Sequence, residues 1–436
     1  MAIADAPVLA GARPGVSGLL RFSTAGSVDD GKSTLIGRLL HDSKGIADDQ
    51  LVALEQASRR RGNDGLDLAL LTDGLRAERE QGITIDVAYR YFNTARRKFI
   101  IADTPGHLQY TRNMVTGSST ADLSVVLIDA RNGVVEQTRR HLVIAALLGV
   151  PHVVGCVNKM DLVDFDEELF GAIRAEFVEL GRRFGVADAT CIPVSALRGD
   201  NVVTRSEATP WYEGRTLIEH LESVELETGH DFGHLRFPVQ WIVRAASEAD
   251  LDYRAYAGRV EGGVLRPGDD VVILPSGVET RIRSIDTFDG PLEVAFPPQS
   301  VAIRLEDDVD LGRGGLLAGA DDAPAARTEL EATVCWLGEL PVRAGARYRL
   351  QHTTRTVRAL VDEVVDRLDI DTLERDPRAD ALQANDVGHL RLRLASPVNA
   401  DPYERNRAMG SAILIDETSN ATVGAVLIDR VILPAA

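Results

Sequence analysis

The sequence predicts a doubly wound α/β domain followed by two antiparallel β-barrels. Three observations carry that expectation. The chain has 436 residues, which at about 150 residues per domain gives room for roughly three cores. Up to about Leu221, short apolar runs alternate with helical patterns, and beyond about Gly229 short strands follow one another with no helix between them. The expected boundaries are residues 1–228 for the α/β domain, 229–323 for the first barrel and 324–436 for the second.

Element by element, Leu19 to Ala25 reads as the first strand, and Thr34 to Leu40 as the helix after it. Lys98 to Ala102, Leu123 to Asp129, His152 to Val157 and Cys191 to Val194 are further strands, with a helix through Leu142 to Leu148. Strands that alternate with helices form βαβ units, and so a mostly parallel sheet. The texture then changes. Phe237 to Val243, Tyr256 to Val260 and Val271 to Leu274 are separated by Gly262-Gly263 and by the turn Arg266 to Asp269, as in a barrel. Ala320 to Ala326 reads as a linker, and Glu331 to Leu337, Thr356 to Val365, Val387 to Leu394 and Ser411 to Ile415 build the second barrel.

Composition narrows the function. With 44% hydrophobic and 26% charged residues, the chain is globular. Its net charge of −18 disfavours general attraction to nucleic acid. The longest apolar run, Leu142 to Val150, is far short of the ~20 residues that span a bilayer. The N-terminal stretch lacks the basic start and apolar run of a signal peptide. Cys156, Cys191 and Cys335 match no metal-ligand spacing and read as reduced thiols of a cytoplasmic protein. Only Lys32, Lys44, Lys98 and Lys159 are lysine among 48 basic residues, so a lysine inside a motif carries weight.

Gly26-Ser27-Val28-Asp29-Asp30-Gly31-Lys32-Ser33 lies between the first strand and its helix, the context a phosphate-binding P-loop requires. Its N–H groups and the helix start at Thr34 would surround phosphates, Lys32 would reach the β and γ oxygens, and Ser33 would bind Mg²⁺. Asp103-Thr104-Pro105-Gly106-His107 follows another strand, which places Asp103 to hold Mg²⁺ and Gly106 to present its N–H to a γ-phosphate. His107 is then the candidate for orienting the attacking water, although by itself it would also suit a helix start. Thr84, in Gly82-Ile83-Thr84-Ile85, could complete the Mg²⁺ shell while the γ-phosphate is present; read alone, it is an ordinary strand threonine. Asn158-Lys159-Met160-Asp161 follows a buried strand, and the Asp161 carboxylate can accept from both donors on the guanine edge. Ser195-Ala196 would offer N–H groups to the guanine carbonyl. GTP is therefore the expected ligand, with His107, Thr84 and Lys32 as catalytic residues.

Thr72 through Asp86 resembles the switch region of translation-factor GTPases, and the resemblance extends over the whole chain. It implies a P-loop GTPase domain followed by two barrels, as in elongation factors. Within that class, Asp103 through Met114, Gln137 through His141, Asn158 through Phe165 and Asn406 through Ser411 are most similar to the GTPase subunits of bacterial sulfate adenylyltransferases. Leu108 departs from the family's usual Glu. The resemblance implies a partner subunit that holds ATP and sulfate, with GTP hydrolysis driving formation of adenosine 5′-phosphosulfate. No second P-loop and no adenylyl-transfer loop is seen, and although some relatives carry a fused adenylylsulfate kinase, the sequence up to Ala436 has no room for one. The alternative is an elongation factor delivering aminoacyl-tRNA. Against it, Arg327 to Ala436 holds 14 Arg, no Lys and 17 Asp or Glu, a poor surface for RNA. A pure regulatory switch is a third reading, and the two barrels argue against it. Arg59 to Arg61 read as a solvated helix end and Arg96 to Lys98 as a hairpin turn, and Trp211, Trp241 and Trp336 as packing residues. His141 reads as a packed core histidine.

Overall fold

The computed structural model describes residues 18–43, 68–71, 86–107, 110–226, 231–244, 253–370 and 372–429. The chain divides into two compact units, the first extending to Leu226 and the second running from Glu227 to Ile432.

In the first unit, a six-stranded sheet is built from β1 (Leu19–Ala25), β2 (Ala88–Asn93), β3 (Lys98–Asp103), β4 (Leu123–Asp129), β5 (His152–Asn158) and β6 (Asp188–Pro193), in the order β2-β3-β1-β4-β5-β6. Only β2 is antiparallel to its neighbour. The helices are α1 (Lys32–Asp42), α2 (Thr111–Ser118), α3 (Glu136–Leu147), α4 (Glu167–Arg183) and α5 (Leu217–Ser223). Every residue of β4 is buried, as expected of a central parallel strand covered on both faces. Val125 and Leu127 join one core with Leu35, Ile36 and Leu39 of α1 and with Leu217 and Leu221 of α5. On α1, Gly37 permits close packing, because a Cβ there would collide with the carbonyl of Leu68. This topology puts the ends of β1, β3, β4, β5 and β6 along one carboxyl edge, where open α/β sheets bind their ligands.

The second unit contains two closed six-stranded antiparallel barrels, each with one further short strand at its edge. The first runs from Arg236–Arg244 to Leu316–Gly319, and the second from Ala326–Trp336 to Thr422–Ile428. Closure leaves few sheet edges exposed. Their cores centre on Phe237, Tyr256 and Ile303 in one barrel and on Trp336, Leu350 and Leu390 in the other.

Two expectations need correction, at Trp241 and at Ala326. Trp241 does not pack: it is 69% exposed, because a register shift between Val239 and Trp241 breaks the strand's alternation. The hairpin turn expected at Arg96 to Lys98 joins the antiparallel β2 and β3; within it Arg97 is buried and donates to the carbonyl of Leu221 over 2.8 Å. Ala326 opens an 11-residue strand rather than closing a linker.

Candidate nucleotide site

The loop from Gly26 to Gly31 leaves β1 and enters α1 through Gly31, whose φ of +94° favours glycine. Asp29 also has positive φ, at +69°, which turns the tip of the loop outward with Val28 exposed. Inside the loop, the N–H of Ser27 donates to Asp30 Oδ2 over 2.6 Å. Lys32 Nζ donates back to the carbonyls of Gly26, at 2.9 Å, and Ser27, at 3.3 Å. Burial lowers the pKa of Lys32, opposed by the charges of Asp103, Asp30 and Asp29, and raises that of Asp30. Ser33 and Thr34 follow Lys32 on the first turn of α1, both half-buried.

Asp103, at the end of β3, is 1% exposed, and its Oδ1 accepts from Thr24 Oγ1 at 3.4 Å. Thr104 ties this loop to β1 by donating to the carbonyl of Thr24 over 2.6 Å. Gly106 then lies directly on the P-loop, where a Cβ would collide with the carbonyl of Gly26 and with Lys32 Nζ. His107 is exposed, its ring edge-on to Tyr110 with centroids 6.1 Å apart. Thr84 and Leu108 lie outside the described residues.

Asn158 connects the remaining loops. Its Nδ2 donates to the carbonyl of Asp30 over 2.7 Å, and its Oδ1 accepts from the N–H of Ala196 over 2.9 Å. Lys159 takes a positive φ of +62°, and its Nζ lies 2.8 Å from Asp129 Oδ2. The Asp161 side chain is 7% exposed, with Arg198 Nε 3.6 Å away. The structure therefore gathers Gly26 to Thr34, Asp103, Gly106, His107, Asn158 to Asp161, Ser195 and Ala196 along the carboxyl edge of one sheet. One detail is corrected. The N–H of Ser195 donates to the carbonyl of Asp200 over 3.2 Å and that of Ala196 to Asn158, so both expected guanine donors are already engaged within the protein.

Two side chains escaped the sequence reading. Asp129 binds Lys159 and also Arg131, through Nε at 3.0 Å and Nη2 at 2.6 Å. Burial raises its pKa, but these hydrogen bonds outweigh burial and hold the carboxyl well below the usual range. It ends its strand at the carboxyl edge, the same signal that singled out Asp103. Arg38, on α1, donates to the carbonyls of Ala196, at 3.2 Å, and Leu197, at 2.5 Å; nothing in the local sequence marks it.

The residues fit a nucleoside triphosphate. Ser27 Oγ is buried with no hydrogen-bond partner among the described residues, and Lys32 supplies a cation. No three His, Cys, Asp or Glu among the described residues cluster as a metal site. Mg²⁺ binds through one or two protein oxygens together with substrate phosphates, and Asp103 and Ser33 provide hard oxygens of that kind. Among the described residues no helix is long and apolar enough to cross a membrane.

Comparison with known proteins agrees with this geometry. Residues 18–227 match the family described as the elongation factor Tu GTP binding domain, and residues 329–429 that described as GTP-eEF1A C-terminal domain-like. The chain is 55% identical, over 94% of its length and 67% of the relative's, to the bifunctional enzyme CysN/CysC of Mycobacterium tuberculosis. It is 51% identical to sulfate adenylyltransferase subunit 1 of Bacteroides fragilis, over 95% of this chain and 86% of the relative. The corresponding subunit of Alteromonas mediterranea is 47% identical over 95% and 87% of the two chains.

Proposed function

Because the chain belongs to the sulfate adenylyltransferase subunit 1 family of translation-factor-type GTPases, we propose that its GTP hydrolysis drives phosphosulfate formation on a separate partner subunit. That partner takes ATP and sulfate and forms adenosine 5′-phosphosulfate and pyrophosphate. Making a phosphosulfate anhydride in this way is uphill, and a second hydrolysis offsets it. The observation that carries the reading is Asn158, which joins the P-loop at Asp30 to the Ala196 loop. One residue thereby couples the phosphate-binding and base-binding halves of a GTP site in a chain of this family.

Within that site, Lys32 and the P-loop N–H groups bind phosphate, and Asp161 accepts from guanine in a pocket walled by Ser195 and Ala196. Ser33 and Asp103, with Thr84 from the switch segment, would hold Mg²⁺, which neutralises phosphate charge when bound. Gly106 lies where its backbone faces the γ-phosphate beside Lys32. His107, exposed next to it, orients the attacking water and contributes mainly in the transition state.

The test is reconstitution in the cytoplasmic setting expected for the pair. The isolated full chain should bind GTP, hydrolyse it slowly and form no phosphosulfate from ATP and sulfate. Adding the partner should create that activity and raise GTP turnover, because coupling requires the switches to sense the partner. Unchanged turnover, or tight salt-sensitive binding of aminoacyl-tRNA by the GTP-loaded chain, would contradict the reading and favour an elongation factor.

A further inference from the structure

Gln137 and His141 are one turn apart on α3, so their side chains leave the same face. Gln137 Nε2 lies 3.2 Å from the carbonyl oxygen of Gly106 and 3.1 Å from His141 Nε2. An amide nitrogen has two protons to donate and accepts nothing, so Gln137 donates to both and His141 Nε2 must be the acceptor. The imidazole proton then resides on Nδ1, which is buried with no hydrogen-bond partner among the described residues. His141 is 1% exposed. Burial, with repulsion from Lys32 and Arg140, pushes its pKa down to about 3, so its Nε2 lone pair stays available at neutral pH. A buried donor left without an acceptor is destabilising. A phenylalanine would fill the space without that cost, but it could not hold the Gln137 amide.

The held atom matters because the carbonyl of Gly106 belongs to the peptide that carries the N–H of His107. A planar peptide anchored at its oxygen has its N–H direction set, and with it the direction in which His107 departs. Gly106 cannot supply that constraint itself. Close packing on the P-loop requires glycine here, and glycine is the residue that least restricts its own backbone. We propose that Gln137 and His141 form a brace that holds the Gly106–His107 peptide in line for hydrolysis. They are positioning residues, and the inference rests on the reading of His107 given above.

The test compares single-turnover GTP hydrolysis and GTP affinity in the full chain for Gln137→Met, His141→Phe, their double variant, His107→Ala, and Gln137→Met combined with His107→Ala. Each brace variant should slow hydrolysis on the order of 10- to 100-fold, as misplacement of a reacting group does, with GTP affinity within about 3-fold of the parent. The double brace variant should be no slower than either single, and Gln137→Met should add nothing to His107→Ala. If Gln137→Met does not fold, Gln137→Asn, which falls short of Gly106, gives the same readout. Normal hydrolysis in the brace variants beside a slow His107→Ala overturns the brace alone, as does affinity lost at unchanged rate. Normal hydrolysis by His107→Ala overturns the reading of His107, and the brace with it.

Discussion

Asp161 presents a carboxylate that is 7% exposed, with a single arginine nearby at 3.6 Å. An acceptor held in this way fits the two donors of guanine, and its replacement by an amide leaves one donor facing another. Asp161→Asn should weaken GTP binding on the order of 10- to 100-fold and favour xanthosine triphosphate, which a nucleotide competition assay reads directly; an unchanged guanine preference refutes the assignment. His107 differs in kind. It is exposed and adjoins Gly106, which packs on the P-loop beside Lys32, so His107→Ala should lower kcat about 100-fold with GTP affinity nearly unchanged. Lys32→Ala, by contrast, should impair binding itself. Residues of this sort were legible in the sequence because each stands in a short motif at a strand end. Asp129 ends a strand as Asp103 does, but its partner Lys159 stands 30 positions away, and Arg38 has no local mark because its acceptor on Ala196 is 158 positions away. The engagement of the Ser195 and Ala196 N–H groups was hidden as well: the first closes a local turn onto the carbonyl of Asp200, and the second reaches Asn158, 38 positions away.

The helix α3 illustrates what an element adds. It packs a histidine behind the Gly106–His107 loop, and burial holds that imidazole neutral, its pKa about 3 against 6.5 in water. In the unfolded chain the same ring takes up a proton as pH falls below 6.5, while in the folded chain it does not until about 3. The unfolded state binds more protons across that window, so stability falls as pH falls through it, by up to ~1.4 kcal/mol per pH unit. His141→Phe should therefore lose less stability than the parent between pH ~7 and pH ~5 in urea unfolding of the first unit. Equal losses would mean that the ring is not held neutral. The sequence located this helix from the apolar run Leu142 to Leu148, and placed His141 in the core. Periodicity could not reveal that Gln137 reaches Gly106, a contact across 31 positions of sequence. Strands were likewise legible as strands, but the face of Trp241 was not, because a bulge reverses alternation without leaving a compositional mark.

At the scale of the molecule, the two barrels of the second unit are joined by buried polar contacts. Arg236, in the first barrel, is 1% exposed and donates to both carboxylate oxygens of Asp401 in the second, at 2.7 and 3.0 Å. Asn406 reaches back to the carbonyl of Glu261 over 2.7 Å, while within the second barrel His352 lies 2.7 Å from the carbonyl of Met409. The segment Asn406 to Ser411, visible in the sequence only as a family resemblance, thus has a structural role. Arg236→Ala leaves Asp401 buried and without its main partner, and should destabilise the second unit by about 3–5 kcal/mol, seen as an earlier unfolding transition in urea; an unmoved midpoint would show that the pair contributes little. Coupling of GTP hydrolysis to phosphosulfate formation, however, is a property of the pair of subunits, which no single chain can display. It is tested most directly by the yield of adenosine 5′-phosphosulfate from ATP and sulfate in the reconstituted pair, with GTP and with a non-hydrolysable GTP analogue. Coupling should give a high yield with GTP and, with the analogue, only the small amount that ATP chemistry alone allows. Equal yields would contradict it.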